Sequence, residues 1–225
     1  MKDDHRIPTH EMMQIGILLA FVGGFLDAYT YVLHGGVFAN AQTGNVVLLA
    51  IHLFQGDFQR VLFYLIPIFA FSLGILTSEY FRRKKKIFHF IPWRRSIILF
   101  ETLILLILFF LPKNLPDIII NTSISYVAAL QMNSFRRVLD LPYATTMCTG
   151  NLRSSMELLS RYLFDKDKEG LGKAIRYFMI IFCFFAGAGV GALICNYWQY
   201  NALLFCVVIL LFCEVVVSKL KQTNE

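Results

Sequence analysis

Long apolar runs constrain this chain more than any other feature. A helix that spans a bilayer takes about 20 apolar residues, and six stretches come close to that length: 14–33, 61–81, 96–111, 117–135, 174–195 and 201–217. Hydrophobic residues make up 57% of the chain and charged residues 16%, whereas soluble domains carry about 25% charged residues. The sequence therefore predicts an all-α integral membrane protein whose main partner is the lipid bilayer.

Two further segments are poor candidates for crossing. Residues 43–55 would form a helix only about 20 Å long. Residues 149–164 carry Arg153, Glu157 and Arg161, and a charge that faces lipid at a helix centre costs about 2.5–3.5 kcal/mol. We predict that both segments are re-entrant half-helices, which enter the bilayer and return to the same side, and that Arg153 and Glu157 form an ion pair.

The distribution of basic residues distinguishes six crossings from eight. With eight crossings, the 21 Lys and Arg residues divide about evenly between the two sides. With six crossings and two half-helices, all except Arg60 and Lys113 lie on one side or next to it. Cytoplasmic loops carry an excess of Lys and Arg, so the second arrangement is favoured. It places both termini in the cytoplasm, and it explains the net charge of +6 without nucleic acid as a partner.

A polar triplet occurs twice, as Thr43-Gly44-Asn45 and Thr149-Gly150-Asn151, 106 residues apart. Each copy opens one of the predicted half-helices, and later in the chain Gly74 and Gly187 differ by 113. We predict one membrane domain with two repeats, 1–112 and 113–225, each containing three spans and one half-helix (43–55 and 149–164). The second repeat begins on the other side of the bilayer, so the repeats are expected to be inverted.

The triplets also define the candidate site. The first turn of a helix leaves free N–H groups and the positive end of a dipole, and two such ends near the bilayer midplane suit a small polar or anionic solute. Asp27 is an intramembrane carboxylate, which is a functional candidate by default, and Asn133 is its counterpart at the same spacing. The expected solute-binding residues are Asp27, Gln42, Thr43, Gly44, Asn45, Asn133, Thr149, Gly150 and Asn151.

Each of these assignments has an alternative. The triplets could only cap and pack two short helices, and Asp27 could be purely structural. Small residues at Gly23-Gly24, Gly74, and Gly187, Gly189 and Gly191 indicate close helix packing or hinges. The five cysteines form no CxxC pair and are expected to be small buried hydrophobic residues.

No motif indicates catalysis. The chain contains no GxSxG, HExxH, Walker loop or dinucleotide fingerprint, and its five histidines are scattered. We therefore expect no enzymatic activity, no catalytic residue, no metal and no cofactor. The leading hypothesis is a small inverted-repeat transporter or channel for an unidentified solute. The alternative is a non-transporting membrane scaffold, assembly factor or sensor.

Three segments carry a family resemblance. They read Gly-Gly-Phe-Leu-Asp-Ala-Tyr at 23–29, Phe-Ala-Asn-Ala-Gln-Thr-Gly-Asn at 38–45, and Pro-Tyr-Ala-Thr-Thr-Met-Cys-Thr-Gly-Asn-Leu at 142–152. Here the chain resembles the YoaK-like family of small bacterial membrane proteins, a domain family of unknown function, and the resemblance covers nearly the whole chain. It implies a multi-pass protein of the bacterial inner membrane and no particular substrate. The chain length is compatible with a monomer and with a homo-oligomer.

Overall fold

The computed structural model describes residues 13–84, 93–138, 141–142, 146 and 148–223. Within these residues the chain forms eight α-helices: α1 (Met13–Leu33), α2 (Gln42–Phe54), α3 (Phe58–Arg83), α4 (Trp93–Phe110), α5 (Asp117–Ser134), α6 (Cys148–Asp165), α7 (Lys168–Trp198) and α8 (Leu203–Thr223). The predicted helical class is confirmed, and each helix corresponds to one predicted segment. The predicted cytoplasmic placement of the N-terminus and of Lys85 and Lys86 concerns residues outside the described part of the chain.

Three helical segments are long and apolar enough to cross a membrane, namely Met13–Leu33, Phe58–Arg83 and Lys168–Ser218. The third contains α7, a 3-10 turn (Gln199–Ala202) and most of α8. Gln199 has a positive φ of 48°, which ends α7 and separates the two helices. The lengths and compositions of these segments indicate a membrane protein. The helix α4 is more polar, because it carries Arg94, Arg95 and Glu101.

A short pair of strands was not predicted from the sequence. The two-residue strands β1 (Arg137–Val138) and β2 (Leu141–Pro142) pair antiparallel. They turn the chain back between α5 and α6.

Glycines form the closest contacts between helices. Gly187 of α7 lies so close to the backbone carbonyl of Phe21 in α1 that an added Cβ would overlap it. Gly74 of α3 lies in the same way against the carbonyl of Tyr126 in α5. The predicted close packing is confirmed at these two positions, because only a residue without Cβ lets the backbones approach so closely.

The helix contacts repeat between the two halves of the chain. The helix α1 packs on α7, and α5 packs on α3. The contact of α2 with α3 corresponds to that of α6 with α7, and the contact of α1 with α8 corresponds to that of α5 with α4. The contact of α4 with α8 corresponds to itself. Exchanging α1–α4 with α5–α8 leaves this pattern unchanged. The glycine contacts of Gly187 and Gly74 are equivalent under the same exchange.

The end of α1 lies beside the starts of α3 and α5. Arg60 donates to the carbonyl of Gly35 at 3.1 Å, and Nδ1 of His34 lies 2.7 Å from Oδ1 of Asp117. We call this the His34 side of the bundle. Since α1 ends where α3 and α5 begin, both helices run antiparallel to α1. The short helix α2 therefore connects two helix ends on one side.

The opposite side carries many of the basic residues, and we call it the basic side. Arg94 at the start of α4 donates to the carbonyl of Ser134 at the end of α5, at 2.9 Å. Arg95 forms an ion pair with Glu214 near the end of α8, at 2.5 Å. These contacts bring the start of α4 and the ends of α5 and α8 together.

The helix α7 runs parallel to α1. Gly187 lies against Phe21 and, four residues further along both helices, Gly191 lies against Phe25. Hence α7 begins on the basic side, where α5 ends. The helix α6, like α2, connects two helix ends that share a side.

Candidate functional site

The N-termini of α2 and α6 line a common cavity of about 260 Å³. One rim consists of the residues from Asn40 to Thr43, and the other contains Thr146, Cys148 and Thr149. Phe71, Met132 and Phe184, from α3, α5 and α7, complete the lining. Three of the predicted site residues therefore line one cavity: Gln42, Thr43 and Thr149.

The lining follows the repeat. Residues at the 106 spacing face the cavity in pairs, namely Asn40 with Thr146, Gln42 with Cys148, and Thr43 with Thr149. Phe71 and Phe184 form a further pair at the 113 spacing. The cavity thus lies where the two halves meet.

Asp27 lies behind the cavity wall. Asp27 is 4% exposed. Its Oδ1 accepts from the backbone N–H of Asn40 at 2.6 Å and from Asn40 Nδ2 at 3.4 Å. The same Nδ2 donates to the carbonyl of Gly23 at 3.1 Å. Asp27 therefore holds the loop that leads into α2.

Asn45 fixes the same loop from within α2. Its Oδ1 accepts from the N–H of Phe38 at 2.9 Å, and its Nδ2 donates to the Phe38 carbonyl at 2.7 Å and to Gln42 Oε1 at 2.9 Å. Gln42 Nε2 in turn donates to the carbonyl of Ala39 at 2.9 Å. Gly44 lies against the Phe38 ring, and a Cβ added to Gly44 would be 3.0 Å from the ring carbons. The first triplet thus shapes the loop that presents the cavity residues.

The second triplet is more open. Thr149 and Gly150 are exposed, and Asn151 is buried. A Cβ added to Gly150 would meet nothing within 4 Å, so packing does not require glycine there. One turn further, Arg153 Nε donates to Glu157 Oε1 at 2.8 Å, and the predicted ion pair is confirmed.

The structure does not bring Asn133 to the cavity. Its Nδ2 donates to Glu79 Oε1 at 3.0 Å, and its Oδ1 accepts from the guanidinium of Arg136. Glu79 also pairs with Arg82 at 2.6 Å. These ionic partners hold Asn133 at the basic side, and the neighbouring Met132 lines the cavity.

Sequence reasoning missed Phe71, Phe184, Met132 and Cys148 as lining residues. The spacing of 113 between Gly74 and Gly187 is the signal that could have paired Phe71 with Phe184. All five cysteines are free. Among the residues that the structure describes, no group of three His, Cys, Asp or Glu side chains is placed to hold a metal ion.

Comparison with known proteins places the chain in a family. Searches of curated proteins and of solved structures found no match. A family model described as "Protein of unknown function (DUF1275)" matches residues 15–216. The match begins in α1 and ends in α8, so it includes both triplets and all of the cavity lining. The chain therefore belongs to the DUF1275 family of proteins of unknown function.

Proposed function

We propose that this protein is a small transporter or channel of the bacterial inner membrane, with six crossing helices and two re-entrant half-helices. Two connections support re-entry, since α2 joins ends on the His34 side and α6 joins ends on the basic side. The 13 residues of α2 also extend only about 20 Å, less than the roughly 30 Å of the bilayer core. The break at Gln199 lets α7 and α8 cross separately.

The two halves form inverted repeats in this proposal. The end of α1 lies beside the start of α5, so the equivalent helices run in opposite directions. The exchange-symmetric helix contacts support the same arrangement. The basic side is cytoplasmic, because Arg60 and Lys113 are the only Lys or Arg residues on the His34 side within the described part of the chain. Both termini are then cytoplasmic, which fits the YoaK-like resemblance.

The observation that carries the proposed function is the cavity formed by equivalent residues of the two halves. Two helix N-termini meet there, as in the half-helix sites of membrane transporters. The solute is small and polar or anionic. Gln42, Thr43 and Thr149 contact it, whereas Asp27, Gly44 and Asn45 shape the site. Gly150 and Asn151 belong to the site as members of the second triplet. Asn133 lies away from the cavity, so we propose no contact between it and the solute.

The surroundings of the protein follow from its surface. Large apolar side chains are exposed around the bundle, among them Phe69, Phe182 and Phe185, and lipid is the partner that suits them. We propose no enzymatic activity, no cofactor and no nucleic acid. The bundle surface is compatible with self-association.

Blocking the cavity tests the function. Purified protein in lipid vesicles would be assayed for uptake of labelled propionamide, urea, nitrate and methylammonium. We expect at least one tracer to enter faster than in protein-free vesicles. Thr43→Trp should return that rate to the protein-free value, because the indole would fill the cavity. Val46→Trp is the matched control, since Val46 lies on the exposed face of the same helix and does not line the cavity.

Two outcomes would contradict transport. One is that no tracer enters faster than in protein-free vesicles, and the other is that Thr43→Trp leaves uptake unchanged. Either outcome favours the alternative, a scaffold, assembly factor or sensor. The observation that supports this alternative is the set of internal hydrogen bonds of Asn45, because they give the first triplet a structural role without a ligand.

A further inference from the structure

We propose that the cavity binds a small uncharged organic solute that carries both a hydrogen-bond donor and an acceptor. The inference rests on the proposed function in that it uses the same cavity. It concerns which solute binds, and its test is separate from uptake.

Two residues that line the cavity each have a buried oxygen atom without a partner in the described part of the chain. Asn40 and Thr146 line the cavity and are each 5% exposed, and neither Asn40 Oδ1 nor Thr146 Oγ1 has a hydrogen-bond partner within the described parts of the chain. Since Asn40 Nδ2 donates to the Gly23 carbonyl, the amide orientation is fixed and Oδ1 can only accept. The methyl group of Thr146 faces Gly23, so it is the methyl group and not the hydroxyl that packs against α1.

The pairing of these two oxygens makes a site more specific than a helix end. Asn40 and Thr146 occupy equivalent positions, 106 residues apart. A buried acceptor without a partner is costly to the protein. A solute with an N–H or O–H group would satisfy Asn40, and Thr146 could both donate to it and accept from it.

The charges around the cavity disfavour an ion. None of the described residues that line it is charged, so a buried ion would lose its hydration without a countercharge. The positive ends of two helix dipoles disfavour a cation. Asp27 disfavours an anion, because its carboxylate already accepts from the N–H of Asn40 at the entry to α2.

The remaining wall is apolar. Phe71 and Phe184 line the cavity from α3 and α7, together with Met132. Side chains of this kind suit the carbon skeleton of a solute, while the few polar groups fix its orientation. A volume of about 260 Å³ admits only a small molecule.

The thiol of Cys148 offers a direct test of binding. Cys148 lines the cavity, so a bound solute should slow its reaction with the small neutral reagent methyl methanethiosulfonate. The rate would be measured at this residue by peptide mass spectrometry on the unaltered full chain in lipid vesicles. Cys183 is the internal control, because it is also partly buried and does not line the cavity.

Three isomeric amides isolate the role of the donor. Propionamide has two N–H groups, N-methylacetamide has one, and N,N-dimethylformamide has none. We expect protection of Cys148 to decrease in that order and to be absent with dimethylformamide, nitrate and methylammonium. The rate at Cys183 should not change with any of them.

An isosteric variant links the effect to Thr146. Thr146→Val should raise the propionamide concentration needed for half protection about 5- to 10-fold, as expected for one hydrogen bond. Thr102→Val is the control, since the Thr102 hydroxyl donates to the Ile98 carbonyl at 2.7 Å and does not line the cavity. It should leave protection unchanged.

Each remaining outcome has a defined meaning. Equal protection by dimethylformamide, protection by nitrate or methylammonium alone, or no protection by any probe would overturn the proposed solute class. Protection in the expected order without uptake of any tracer would retain the class and reject transport. Uptake of ions, with protection by ions, would retain transport and reject the class.

Discussion

At the residue scale, Asn45 has both polar atoms of its amide engaged with the chain segment that precedes α2. Its partners are the backbone of Phe38 and the side chain of Gln42. Replacing Asn45 therefore changes the loop before it changes any bound solute. Thr43 lines the cavity and is exposed, so it reports on the site more directly.

The variant Asn45→Ala should lower the free energy of unfolding by about 2–4 kcal/mol, because it leaves the N–H and carbonyl of Phe38 and the side-chain oxygen of Gln42 without partners. Thermal or denaturant unfolding in detergent would measure the change. Asn114→Ala, in the exposed turn between α4 and α5, should change it by less than about 0.5 kcal/mol. Equal losses of stability in the two variants would show that Asn45 does not hold the loop before α2.

Residue roles were only partly predictable. Polar residues in apolar surroundings, such as Thr43 and Thr149, stand out in the sequence. Phe71 and Phe184 do not, because an apolar side chain on a spanning helix has the same pattern whether it faces lipid or a cavity. The loop contact of Asp27 depends on how the chain returns after α1, and helical periodicity carries no information on that.

At the element scale, glycines determine how α1 and α7 pack. Gly187 meets the Phe21 backbone, whereas Gly189, two residues later on the same helix, has nothing within 4 Å of an added Cβ. The sequence motif Gly-x-Gly-x-Gly does not distinguish these positions, because the packed face appears only when the partner helix is in place.

Two matched variants test this packing. Gly187→Ala should lower the free energy of unfolding by about 1–3 kcal/mol or more, because the new methyl group forces the helices apart. Gly189→Ala should leave it unchanged or raise it by up to about 1 kcal/mol, because Ala favours helix over Gly. Unfolding in the same detergent would compare them. A Gly189→Ala loss as large as that of Gly187→Ala would show that the contact is not the cause.

Most helix bounds were predictable to within about three residues because apolar runs and polar breaks mark them. The exceptions are the start of α7 at Lys168, against a predicted 174, and the end of α8 at Thr223, against a predicted 217. The predicted half-helix 43–55 corresponds to Gln42–Phe54, and 149–164 corresponds to Cys148–Asp165. The pair β1 and β2 was not predictable, since two-residue strands are too short to produce an alternating pattern.

At the scale of the whole molecule, the side on which each connection lies determines the number of crossings. Asp57 and Asp167 cap α3 and α7 by accepting from Arg60 N and Gly170 N. Replacing either aspartate would remove a helix cap. Cysteine labels are therefore better placed at the neighbouring exposed residues Gln59 and Asp165.

Single cysteines at these positions should label differently. In a background without other cysteines, Gln59→Cys should react with a membrane-impermeant thiol reagent on intact cells. Asp165→Cys should react only after the cells are permeabilised, because the end of α6 lies on the basic side. Labelling of both on intact cells would mean that α2 and α6 cross the membrane and that the repeats are parallel.

The division into two inverted repeats, which was inferred from the repeated triplet and the basic residues, stays a prediction. The helix pairing was not predictable, because no sequence feature states that α1 packs on α7 and α5 on α3.

That pairing has a mechanical consequence. The helices α2–α5 pack on one another and α1 packs with α6–α8, and these two groups meet where α4 packs on α8 and α1 touches α5. We call each group a block. The boundary between the blocks is thus displaced by one helix from the boundary between the repeats. The chain crosses it twice, at residues 34–41 and 135–147, and these segments contain Asn40 and Thr146. A rotation of one block against the other would therefore move both rims of the cavity together. In a circular permutant opened at either segment, only the rim on the intact segment would still be tied to both blocks.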